Sequence, residues 1–73
     1  MSKKLPFLIY CIEEYKFQKG LTGKQAIQLF NKYKITEYIY DCYEALHTTG
    51  ANYIINDIDS FIKEQSSQLN FAK

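Results

Sequence analysis

The chain has 73 residues, a net charge of +1, an apolar fraction of 47%, seven Tyr and five Phe. That composition is too apolar for a disordered chain, and a domain this short buries only about 60% of the surface its unfolded chain exposes. Such a domain is expected to gain stability from a partner or a second copy. The charge is unevenly spread: residues 1–34 carry +5 and residues 35–73 carry −4, and every basic residue is Lys. Lys gives point charge without the bidentate fork that clamps phosphate or reads guanine.

Lys3 and Lys4 followed by the apolar run Leu5 to Ile12 resemble a signal peptide. Glu13 and Glu14 follow at once and no small-residue cleavage site appears, so secretion is not expected. Eight apolar residues cannot span a bilayer. A cytoplasmic protein with reduced thiols is the expectation.

The first helix is expected over about 6–19. Pro6 suits the first helical position, and Gly20 suits a left-handed end. Leu8, Cys11, Ile12 and Tyr15 form a helical stripe. Phe7, Ile9 and Tyr10 make the first turns apolar nearly all round, which predicts that other helices surround this end.

The second helix, 22–33, has the clearest start: Thr22 and Gln25 fit a capping box, with Leu21 placed to staple onto Ala26. Ala26, Leu29, Phe30 and Tyr33 form its stripe. The third helix is expected over 36–48, capped by Thr36, with Glu37 in its first turn. Ile39, Cys42, Tyr43 and Leu46 repeat the buried spacing.

Ala51 to Ile55 is ambiguous: extended, or the start of the last helix with Asn52 as cap. Asn56 with Asp59 gives an alternative start and a fourth helix over 56–66. The expected fold is all-α, one domain over 1–73: a compact bundle of four helices with short connections and fraying ends at 1–4 and 67–73.

Catalytic chemistry finds no support. Cys11, Cys42 and His47 are the candidate metal ligands, but Cys42 and His47 lie about 140° apart around a helix. No paired-Cys or paired-His spacing exists, so no metal or other cofactor is expected. Both cysteines lie on apolar stripes, where thiols act as small hydrophobes. No Ser or Cys is set beside His47 with an orienting acid. Glu13–Glu14 and Asp57–Asp59 are carboxylate pairs, but neighbours on a helix diverge and acids early in a helix complement its dipole. The chain is not expected to be an enzyme.

A helix-turn-helix reading of the second and third helices meets an electrostatic objection. The would-be recognition segment holds Glu37, Asp41 and Glu44 and no base. DNA binding is a minor alternative.

Tyr40 falls off the buried stripe, on a face with Glu37, Glu44 and His47. Tyr is enriched at interfaces, but Tyr40 could equally staple onto Ile35 at the helix start. Glu37, Tyr40, Asp41, Glu44 and His47 are therefore the candidate protein interface. His47 also reads as a structural residue closing its helix.

The segments Phe7 to Tyr15, Leu21 to Lys24 with Leu29-Phe30, Leu46-His47-Thr48, and Tyr53 to Ile58 resemble a family of small bacterial domains of unknown function. The likeness runs roughly from Phe7 to Ile62. Members of that family are often encoded beside a gene that looks like an ADP-ribosyltransferase toxin. The resemblance thus implies an antitoxin or immunity role, by direct binding to the neighbouring protein. Tyr15, Phe30, Tyr43, His47 and Asp57 match the family pattern, and their spacing suggests that most serve the fold. The expected function is a non-enzymatic protein-binding module. A homo-oligomeric structural module is a further alternative, drawn from the charge asymmetry.

Overall fold

The computed structural model describes the backbone of residues 3–71 and the side chains of residues 3–67. The helices are α1 (Lys4–Lys19), α2 (Gly23–Lys32), α3 (Ile35–Asp41), α4 (Tyr43–Leu46) and α5 (Ala51–Phe71). No strand occurs among the described residues. The fold is the expected all-α bundle, with four helices of seven residues or more and one short piece.

α1 starts two residues before its expected position, with Pro6 still in the first turn, where its missing N–H leaves no bond unmade. It ends in a Schellman motif. Gly20 takes φ 64°, the Leu21 N–H donates to the Lys16 carbonyl (2.9 Å) and the Gly20 N–H to the Phe17 carbonyl (3.4 Å).

α2 opens as expected. The Gln25 N–H donates to Thr22 Oγ1 (3.1 Å), and the Thr22 N–H donates to Gln25 Oε1 (2.9 Å).

The turn into α3 corrects the sequence reading. Thr36 is not the cap; it is the second helical residue. Lys34 precedes the helix at φ 56°, and its carbonyl accepts the Tyr38 N–H (3.2 Å). A left-handed non-glycine residue costs about 1–2 kcal/mol. The offsetting gain is Ile35, which this turn drives fully into the core, a burial worth about 1.5–3 kcal/mol.

The expected third helix is two pieces. Cys42 separates them at φ −101°, ψ 14°, outside the helical range. α4 then closes on Thr49, whose hydroxyl donates to the Leu46 carbonyl (2.7 Å).

α5 begins at Ala51, five residues before the expected fourth helix. The adjacent β-branched Ile54 and Ile55 lower intrinsic helix propensity. Tertiary packing overrides that: Ile54, Ile55 and Ile58 are all buried, and only a helix puts all three on one side. Of the ends expected to fray, residues 1–2 and 72–73 lie outside the described residues, and the α5 backbone is helical to Phe71.

The core gathers Leu8, Cys11 and Tyr15 of α1, Phe30 of α2, Ile35 and Ile39 of α3, Leu46 of α4 and the α5 isoleucines. No helix among the described residues is long and apolar enough to cross a membrane.

Candidate functional site

The five interface candidates divide by exposure. Glu37, Asp41, Glu44 and His47 are exposed, whereas Tyr40 is half-buried and packs against the core. The Lys4 ammonium lies 6.0 Å from the centre of the Tyr40 ring, a cation–π contact between α1 and α3. Of the two readings open for Tyr40, outward among the acids or packed inward at the helix start, it takes the inward one, against the core cluster that includes Ile35. The break at Cys42 separates Glu37 and Asp41 on α3 from Glu44 on α4. None of the three carboxylates forms an ion pair among the described residues.

His47 is held by its own helix. Nδ1 lies 2.8 Å from the Tyr43 carbonyl oxygen and donates to it when Nδ1 carries the proton. The imidazole stacks on the Tyr43 ring, with 4.4 Å between centroids and 8° between planes. Tyr43 meets Phe7 edge-on at 5.4 Å, and Phe7 stacks on Tyr10 at 6.3 Å. An aromatic chain thus joins α4 to the start of α1.

Asp57 and Asp59 have tertiary partners that sequence spacing did not reveal. The Tyr38 hydroxyl donates to Asp57 (2.6 Å), linking α3 to α5. The Tyr15 hydroxyl donates to Asp59 (2.8 Å), and the Lys19 ammonium pairs with the other oxygen of that carboxylate (2.7 Å), linking α1 to α5. These acids lie beyond the first turn of α5, so pinning tyrosines replaces the expected dipole role. The surplus of Tyr was the available signal: buried Tyr hydroxyls need acceptors.

Burial, then the bond to Asp59, pushes the Tyr15 hydroxyl above its ordinary range. Burial and the bond to Asp57 do the same to Tyr38. The Cys11 thiol is pushed up to about 12 by burial, which keeps it protonated and inert. No group of three or more His, Cys, Asp or Glu side chains among the described residues could hold a metal.

The larger departure from expectation is on α1. Its first turns are not surrounded: Ile9 is 52% exposed and Tyr10 43%. With Leu5 at 54% and Phe17 at 84%, they form a second apolar face opposite Leu8, Cys11 and Tyr15. Ile27 on α2 and Tyr53 on α5 are also exposed. Two open grooves accompany them: one of about 290 Å³ lined by Leu21, Gln25, Gln28, Leu29 and Lys32, and one of about 180 Å³ lined by Tyr53, Asn56, Asp57 and Ser60.

A family model described as "Protein of unknown function (DUF3791)" matches residues 6–65. Comparison with curated proteins and with solved structures finds no match. The match covers most of the chain, and the chain belongs to that family.

Proposed function

We propose that this member of the DUF3791 family is a non-enzymatic protein-binding module that acts as an antitoxin or immunity protein, neutralising a neighbouring ADP-ribosyltransferase-like toxin. The observation that carries the binding-module reading is the surplus of exposed large hydrophobics: Leu5, Ile9, Tyr10, Phe17, Ile27 and Tyr53 in a chain of 73 residues. Four of them share the outer side of one helix. Contiguous apolar surface of this kind marks association sites.

The toxin assignment rests on the family resemblance and on charge. An enzyme that binds an anionic dinucleotide tends to have a basic cleft. The exposed acids Glu37, Asp41 and Glu44 supply a complementary surface. The same acids weigh against the DNA-binding alternative, because they repel a phosphate backbone.

The test is co-expression with the product of the adjacent gene. Rescue of growth and co-purification of the two proteins are the expected results. The absence of both rescue and co-purification overturns the proposal. Charge reversal of Glu37, Asp41 and Glu44 to Lys should weaken the complex, and unchanged affinity would place the contact elsewhere.

A further inference from the structure

We infer that the outer face of α1 is a homodimer seam, on which a second copy of this chain lays its own α1 antiparallel. The inference rests on reading the chain as a protein-binding module, and it assigns one part of the exposed surface to self-association.

The face is built for helix packing. At 3.6 residues per turn, Leu5, Pro6, Ile9, Tyr10, Glu13 and Phe17 share one side of α1. The charged residues on this side are Glu13 and Lys16, which falls between Leu5 and Ile9 around the axis, and they neutralise each other at 3.0 Å. Leu8, Cys11 and Tyr15 on the opposite side already complete the core. Apart from the Tyr10 ring, which stacks on Phe7, the outer apolar residues add little to the fold of the single chain.

Charge selects the occupant. Lys3, just before the helix, and Glu14, three turns along, lie on the same edge of this face, about 20° apart around the axis. Neither has an ion-pair partner among the described residues. A two-fold axis between antiparallel helices brings each edge against the same edge of the other copy. With the axis near Ile9, Ile9 and Tyr10 meet their counterparts. Lys3 of each copy then lies within a turn of Glu14 of the other. The pattern is self-complementary twice over, and the two helix dipoles oppose each other favourably. Phe17 lies beyond the centre of the seam. One helix against one helix buries less than the roughly 800 Å² per partner of a standard interface. A seam of this size belongs with the small, transient interfaces.

Sedimentation equilibrium of the full chain at high micromolar concentration tests this. The expected mass is twice the 8.6 kDa of one chain. Ile9→Glu places two carboxylates together at the axis and should raise the dissociation constant roughly a hundredfold or more. Glu14→Lys should raise it about three- to tenfold, and Lys3→Glu combined with Glu14→Lys should restore it. Circular dichroism on each variant confirms that the helices remain. A wild-type monomer overturns the inference, and so does a double variant no tighter than Glu14→Lys alone. Co-purification with the adjacent gene product is read in parallel. A monomer that still co-purifies sinks the seam and leaves the proposed function standing. A dimer that captures nothing does the reverse.

Discussion

The two sides of α1 are built from the same kinds of residue and meet opposite fates. Leu8, Cys11 and Tyr15 are buried, while Leu5, Ile9, Tyr10 and Phe17, interleaved with them along the same helix, lie open to solvent. Hydrophobicity alone does not decide which side faces the core. The inner side is chosen by what it meets: Phe30 edge-on to Tyr15 at 5.9 Å, and Asp59 ready to accept the Tyr15 hydroxyl. Among the described residues the outer side has only the Phe7 ring against Tyr10. Stability thus belongs to one side of the helix, and surface for association to the other.

The sharpest way to probe the inner side is Phe30→Ala. Phe30 is 1% exposed at the centre of the core. Its truncation should cost about 3–5 kcal/mol in urea unfolding, enough to unfold much of so small a domain.

Tyr15→Phe should cost about 1 kcal/mol, since it removes one hydrogen bond and leaves Asp59 with Lys19. It should also change the alkaline limb of stability. Unfolded tyrosines lose their protons near pH 10, whereas folded Tyr15 and Tyr38 hold theirs to higher pH. The unfolded state then binds fewer protons, so stability falls as pH rises. Cys11 acts in the same direction from its ordinary 9.0 up to about 12. Stability should be flat from neutrality to about pH 9 and decline above it. Tyr15→Phe should flatten the decline beyond pH 10, and an unchanged slope would remove Tyr15 as a contributor.

Thr22→Ala at the α2 cap should cost about 1 kcal/mol, with Thr22→Ser close to wild type. The smallest effect is expected on the outer side. Phe17→Ser should change monomer stability by less than about 0.5 kcal/mol. A loss as large as that of Phe30→Ala would break the contrast between the two sides.

Much of this was legible in the sequence where the signal is local. The Gly20 end, the Thr22–Gln25 box and the stripes of α1 and α2 follow from spacing and backbone chemistry within a few residues. The errors came where distant residues decide. Lys34 takes a left-handed turn because Ile35 gains burial. α5 starts at Ala51 because Ile54 and Ile55 face the core, against their own propensity. Tyr40 is drawn inward beneath Lys4, a contact across 36 positions of sequence that helical spacing cannot reveal. The polar ties of Asp57 and Asp59 escaped for the same reason. The exposed acids at 37, 41 and 44 were legible by charge alone, while the bareness of the outer α1 side was not, because an apolar helix reads alike whether surrounded or half exposed.

The most direct measurement is titration of the purified chain with the product of the adjacent gene, followed by calorimetry. Saturable binding that weakens when Glu37, Asp41 and Glu44 are reversed is the predicted result. The absence of any binding heat, with no rescue of growth on co-expression, would contradict a protein-neutralising role.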